Sequence, residues 1–280
     1  MTNRLSRRGI AGLAALPAAL FVGSAQAQTT TESAFDRVTR TKVLRVAAFP
    51  GALPYFTKDI STGQWAGACV EMANDLAKVF DAKVEYVESG YGPAVLDLQT
   101  NKIDLAFALN PTPARALSIT FTKPMMIHPF GAILKPGMEA KTWADINKPD
   151  VRIVVDRGSA HDVAAHRFAP KAQIIVVDKP DEAVLTMLSG RADVNILAAM
   201  LALSTLGKNP ALGHFVLLGN PLFALPSCIG LRREPDTRLK EVVDAWLDMA
   251  RGTGQVREWL IAGIEMTGAK RADIPGDLSF

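Results

Sequence analysis

The chain has 280 residues, 49% hydrophobic, 21% charged and 7% aromatic, a composition that suits a folded soluble protein of one or two domains and excludes disordered and collagen-like chains. Arg4, Arg7 and Arg8 are the only charged residues among the first 27, and removing them from the 31 basic residues leaves 28 against 28 acidic ones. The remainder has no net charge, which argues against nucleic-acid binding, a function that normally rests on a basic excess.

Residues 1–27 join a basic start to an apolar run from Ile10 to Val22 and a small-residue stretch, Ala25-Gln26-Ala27. The run is broken by Pro17 and is shorter than the roughly 20 residues a bilayer core requires, so a cleaved signal peptide is expected. Ser6-Arg7-Arg8-Gly9-Ile10 resembles a twin-arginine export signal. Export places the mature chain in an oxidising periplasm, where Cys69 and Cys228 are either one long-range disulfide or two buried thiols. Their separation fits no zinc motif, and neither metal nor cofactor is expected.

Strand and helix patterns then alternate. Val43 to Ala47 and Val84 to Val87 are strand candidates, with helical spacing from Val70 to Phe80 between them. A short helix is expected from Pro93 to Thr100 and a strand from Ile103 to Ala108. Turn-rich segments around Lys135-Pro136-Gly137 and Asn147-Lys148-Pro149 interrupt the pattern, which then restarts. Strands are expected at 151–155, 174–177 and 192–197, with helices at 162–167 and 181–188. An amphipathic helix from Asp236 to Ala250 places Trp246 on its apolar stripe, as a core residue. This order predicts an α/β fold with parallel sheets.

Hydrolase elbows, zinc-protease helices, Walker loops and dinucleotide-binding glycine motifs are missing from the sequence. Gly158-Ser159-Ala160-His161-Asp162 reads as a strand-to-helix turn. Ser159 is its N-cap, and the free backbone N–H groups there can hold an anion.

The more specific signal is a series of elements: Lys102-Ile103-Asp104, Thr112-Pro113-Ala114-Arg115 and Phe121-Thr122-Lys123-Pro124, with Gly67 to Ala73 before them and Gly190-Arg191-Ala192-Asp193 after. In order and rough spacing they resemble family 3 of the bacterial extracellular solute-binding proteins, periplasmic receptors of polar amino-acid ABC transporters, over essentially the whole mature chain. The resemblance implies a type II periplasmic binding protein fold, with two α/β lobes, a two-strand hinge and a ligand cleft. Residues 28–128 and 226–280 would form the first lobe and 129–225 the second, with crossings near Met126 to Phe130 and Leu225 to Ile229. It also implies a monomer that passes a small-molecule carboxylate ligand to a membrane permease.

By the same resemblance Arg115 grips the ligand carboxylate, as suits a planar fork of donors. Thr112 assists it, Ser159 and Ala160 close over the same group, and Tyr91 packs on the ligand. Arg115→Ala is expected to abolish binding with little loss of stability. The chain departs from the family at Ala198, where an ammonium-binding aspartate is usual, at Phe49, a position often acidic, and at Ala52, often aromatic. The segment from Asp104 to Thr112 is one residue short, which alters the backbone contacts expected at Leu109 and Asn110.

Two explanations stay open. Asp156 supplies the missing negative charge, or the ligand carries no ammonium and Phe49, Tyr91 and Tyr55 receive an apolar or aromatic acid. The second is preferred because Arg157 can neutralise Asp156. The fold is shared by periplasmic cyclohexadienyl or arogenate dehydratases, whose catalytic glutamate follows the glycine turn. His161 stands there instead, so binding without catalysis is expected, for a permease, with an enzyme resembling these dehydratases or a sensor for a membrane signalling protein as the alternatives.

Overall fold

The computed structural model describes residues 32–268 and 271. The expected signal peptide at residues 1–27 lies outside them. No helix among the described residues is long and apolar enough to cross a membrane.

The first lobe opens with helix α1 (Ala34–Thr41) and strand β1 (Val43–Ala48). A small antiparallel ribbon, β2 (Thr57–Lys58) and β3 (Trp65–Ala66), leads into α2 (Ala68–Val79). Gly67 begins α2 at φ +123°, and a Cβ there would lie 2.4 Å from the Tyr55 carbonyl oxygen, so only glycine fits this close approach. Next come β4 (Lys83–Glu88), α3 (Pro93–Gln99), β5 (Leu105–Leu109), α4 (Pro113–Ala116) and β6 (Ile119–Phe121). β1 runs parallel to both β4 and β5.

Strand β7 (Met126–Leu134) starts the second lobe, followed by α5 (Trp143–Ile146), β8 (Arg152–Asp156), α6 (Ala160–Phe168) and β9 (Gln173–Val177). The lobe continues with α7 (Pro180–Leu188), β10 (Val194–Ala198), α8 (Ala199–Lys208) and β11 (His214–Leu217). β8 lies parallel to β9 and β10, and β7 is antiparallel to β10 and β11. The long strand β12 (Ala224–Arg232) then returns. Its first half pairs with Met126 to Pro129 of β7, and its second half with β5 and β6. Two strands thus tie two α/β sheets together. Helices α9 (Arg238–Gly252) and α10 (Gln255–Glu265) close the described chain, α10 packing on α2.

Each sheet is locked by a buried aspartate at the entry to a central strand. In the first, Asp104 accepts from the Arg45 backbone N–H at 2.7 Å and its guanidinium at 2.8 Å, and also pairs with Arg37. In the second, Asp193 accepts from the Arg152 backbone N–H at 3.0 Å, its guanidinium at 2.7 Å and Lys135 Nζ at 2.6 Å. The preceding turns are also alike, with Asn101 at φ +59° and Gly190 at φ +69°.

Two sequence expectations are refined. Trp246 is half-buried, not core: it stacks on Trp259 with ring centroids 6.1 Å apart and donates to Asp75 at 3.0 Å. The reason is α10, unanticipated from the sequence, whose Trp259 meets the flank of α9. Cys69 and Cys228 are buried free thiols, and burial pushes the Cys228 thiol up to about 11.

Hydrogen bonds from Arg152, then Lys135, hold the Asp193 carboxyl well below the usual carboxylate range. Its contribution to stability is therefore present above the unfolded value near 3.9 and is lost as pH falls through the lower native value. Asp193→Ala is expected to lower stability at pH 7 by about 2 kcal/mol and to weaken the acid sensitivity below pH ~4. Urea titrations of both proteins at several pH values check this, and equal midpoints would contradict it.

Candidate functional site

The two lobes meet around a small, nearly closed cavity. Of the residues singled out in the sequence, Tyr91, Asn110, Arg115, Ser159, Ala160, His161 and Ala198 line it. Thr112, Phe49 and Asp156 stand close behind. Thr112 caps α4 by accepting from the Arg115 N–H at 3.3 Å, fully buried Phe49 packs its ring on Tyr91 at 4.6 Å, and Asp156 lies beside His161. Tyr55, Ala108, His128 and Leu201 complete the wall.

Arg115 is 7% exposed. Its Nη1 donates to the Asn110 carbonyl at 3.1 Å and its Nη2 to the carbonyls of Tyr91 and Gly158, each at 2.8 Å. The side chain thus joins the first lobe to the turn that opens α6. Burial pushes the guanidinium down to about 10, so it remains a cation at neutral pH. Two buried carbonyls, those of Asn110 and Tyr91, and the half-buried one of Gly158 depend on it, and the expectation that Arg115→Ala leaves stability nearly unchanged is corrected: an orphaned buried acceptor costs about 1–3 kcal/mol. Gly158, at φ +64°, meets Gly92 so closely that a Cβ at Gly92 would stand 3.0 Å from the Arg157 carbonyl oxygen.

His128 sits on β7, within the expected crossing, but sequence reasoning assigned it no role. Asn110 Nδ2 donates to the Pro226 carbonyl at 2.8 Å and also to His128 Nε2 at 3.3 Å, so Nε2 must accept. Nδ1 then carries the proton and donates to the Tyr55 hydroxyl oxygen at 3.4 Å. Burial, with a smaller contribution from His161, pushes His128 down to about 3. Burial likewise holds the hydroxyls of Tyr55 and Tyr91 well above the usual range, Asp156 adding to the effect at Tyr91.

On the opposite wall, Ser159 caps α6 by accepting from the Asp162 N–H at 3.1 Å, which fixes the first turn carrying His161. Nε2 of His161 accepts from the Ala198 N–H at 3.4 Å, and Nδ1 faces Asp156 Oδ2 at 3.6 Å. Asp156 and His161 are both buried, and neither Asp156 oxygen, nor His161 Nδ1, nor the Tyr91 hydroxyl has a hydrogen-bond partner among the described residues. Arg157 does not neutralise Asp156: it is largely exposed and pairs with Asp178 at 2.7 Å. Ala108, in the cavity wall, holds φ +58° where the pairing of β12 with β5 slips register. Among the described residues no group of three or more His, Cys, Asp or Glu side chains could hold a metal ion.

The neutral His128 has a consequence for stability. Its unfolded form titrates near 6.5 and its native form near 3. Between those values only the unfolded chain binds the proton, so stability is complete above pH ~6.5 and falls on acidification by up to about 1.4 kcal/mol per pH unit. His128→Gln is expected to flatten the fall between pH 6.5 and 4 in urea titrations; an unchanged slope would contradict the assignment.

The model of the bacterial extracellular solute-binding proteins, family 3, matches residues 44–261. Cyclohexadienyl dehydratase of Pseudomonas aeruginosa is 29% identical over 86% of this chain and 88% of its own. The histidine-binding periplasmic protein of Escherichia coli is 23% identical over 75% of this chain and 83% of its own. Among solved structures, a reconstructed ancestral amino acid-binding protein, described as a precursor of cyclohexadienyl dehydratase, superimposes with a TM-score of 0.73 at 28% identity, covering 81% of this chain and all of that one. An amino acid ABC transporter substrate-binding protein of Streptococcus pneumoniae bound to L-arginine gives 0.77 at 18% identity, covering 84% and 99%, a likeness of fold.

The dehydratase overturns one expectation. Binding without catalysis was inferred because His161 replaces a glutamate, yet a relative matched along most of both chains is an enzyme, and histidine is itself a proton-transfer group. With its fold, its crossing strands and a family match over most of its length, the chain belongs to the bacterial extracellular solute-binding proteins, family 3.

Proposed function

We propose that this chain captures a small carboxylate-bearing acid between its lobes, with Arg115 reading the carboxylate and Tyr55, Tyr91 and Leu201 enclosing the body of the ligand. The observation that carries this reading is the buried guanidinium of Arg115, the one charged cation in the wall of the cavity between the lobes among the described residues. A cation in such surroundings favours an anionic partner, and charge-assisted bonds to it contribute about 1.5–3 kcal/mol each. Closure over the ligand biases the lobes toward the compact state. In the transport role the closed monomer docks on an ABC permease in the periplasm, after export directed by residues 1–27 through the twin-arginine route.

A second reading has its own support. Identity to a cyclohexadienyl dehydratase along most of both chains and a histidine facing the cavity favour elimination of water from a cyclohexadienyl acid held by Arg115 in the same place. Both readings need the same capture step, and they part on whether the ligand leaves unchanged.

One experiment addresses both. Refolded protein is titrated by calorimetry with amino acids, their 2-oxo analogues, aromatic acids and dicarboxylates, and each bound acid is recovered and identified by mass spectrometry. Micromolar binding of at least one acid is expected, weakened roughly 10- to 100-fold in Arg115→Lys, which keeps the charge and loses the fork. Binding of the corresponding amide as tightly as the acid would refute the assignment of Arg115.

A further inference from the structure

We infer that the Gly158 carbonyl is a built-in competitor for the ligand carboxylate: it holds Arg115 across the seam between the lobes, and the guanidinium grips an acid with both prongs only after this carbonyl has let go. The inference rests on the capture reading and adds an autoinhibitory contact to it.

The stereochemistry of the guanidinium carries the argument. A carboxylate bound by two parallel N–H groups takes them from Nη1 and Nη2 or from Nε and Nη2, so either edge of the fork includes a hydrogen on Nη2. Both Nη2 hydrogens are already given away, to the carbonyls of Tyr91 and Gly158 at 2.8 Å each. One Nη1 hydrogen goes to the Asn110 carbonyl at 3.1 Å. The hydrogens left, on Nη1 and Nε, do not share an edge and hold an acid through single bonds only. A two-pronged grip therefore requires one of the two carbonyls on Nη2 to leave.

Burial and chain position decide which one. Tyr91 is buried in the lobe that carries Arg115, and releasing its carbonyl would strand a buried acceptor. Gly158 lies in the other lobe, in an exposed turn that opens α6, so water can meet its carbonyl once released. At φ +64° this residue occupies a region that glycine enters without steric cost, which leaves the peptide it shares with Ser159 free to rotate. The C=O and N–H of a trans peptide point opposite ways. A half-turn that takes the Gly158 oxygen off Arg115 thus brings the Ser159 N–H, now donated to the Asp156 carbonyl at 3.2 Å, round to the cavity side. One rotation replaces an acceptor, which repels a carboxylate, with a donor that holds it.

The seam offers two places to perturb this contact selectively. Beside the latch, a Cβ at Gly92 would stand 3.0 Å from the Arg157 carbonyl oxygen; elsewhere along the seam, a Cβ at Gly207 would stand 3.1 Å from the Thr267 carbonyl oxygen. Gly92 has φ −80° and ψ −57°, which alanine adopts without strain, and Gly207 lies within α8, where alanine is favoured. A methyl group at either position wedges the lobes, but only the one at Gly92 pushes the turn off Arg115.

The test uses the refolded full chain, with phenylacetate, 2-oxobutanoate, L-alanine and their amides titrated by calorimetry into wild type, Gly92→Ala and Gly207→Ala. At least one acid is expected to bind. The apparent affinity is divided by the fraction of unlatched protein, so Gly92→Ala should bind that acid roughly 3- to 10-fold more tightly, and Gly207→Ala no more tightly than wild type. A crystal structure of wild type with the acid reads the latch without any variant: the carboxylate should lie on Nη2, and the Gly158 oxygen should have moved from 2.8 Å to beyond hydrogen-bond distance. Unchanged or weaker binding by Gly92→Ala, equal tightening by both variants, or a Gly158 oxygen still on Nη2 beside the bound acid would overturn the latch and leave capture at Arg115 standing. Acids that bind no better than their amides, or no binding of any probe to wild type and Gly92→Ala, would overturn capture and the latch with it.

Discussion

A buried guanidinium must be satisfied on every side, and much of this molecule is arranged around satisfying that of Arg115. Its donors reach carbonyls at Tyr91, Asn110 and Gly158, three segments that are distant in the chain and lie on both sides of the cavity. Each of those segments also delivers a side chain to the wall or to the turn bordering it. Tyr91 brings its ring, Asn110 fixes the tautomer of His128, and the turn at Gly158 opens the helix that carries His161. Removing the cation would therefore disturb the site as a whole, so the proposed binding role and stability are coupled at this residue.

That arrangement depends on two sheets with little freedom at their strand starts. Asp104 and Asp193 do the same work in each lobe, taking the backbone N–H and guanidinium of an arginine on the neighbouring strand. The strands they anchor, β5 and β10, run to Ala108 and Ala198 at the cavity. A carboxylate lock at one end of a strand thus sets the position of a cavity wall at the other. The chain meets the same packing problem in its two halves with the same residue types.

Much of this was legible in the sequence because the signals were local and the motifs ordered. Alternating strand and helix periods gave most elements to within a few residues, and the motif series carried the lobes and the residues that gather at the cavity. The failures were of contact, not of pattern. Trp246 lies on the apolar stripe of α9 but is drawn to its flank by Trp259 of α10 and Asp75. His128 and Leu201 had no motif, only a place on a strand and a helix that tertiary packing turned toward the cavity. Arg157 looked able to neutralise Asp156 by adjacency, but successive residues of a strand and its turn point apart, and it pairs with Asp178 on the surface. The expectation of binding without catalysis failed for a different reason. It gave a single departure from the dehydratase pattern, His161 for glutamate, more weight than similarity along most of the chain.

The central claim is that Arg115 makes this cavity an acid-binding site. The most direct measurement is native mass spectrometry of protein purified without refolding, with the retained small molecule released and identified. The account predicts a carboxylate-bearing molecule that accompanies wild type and is missing from Arg115→Lys. A neutral sugar or a metal ion in its place, or the same acid retained equally by Arg115→Lys, would contradict it.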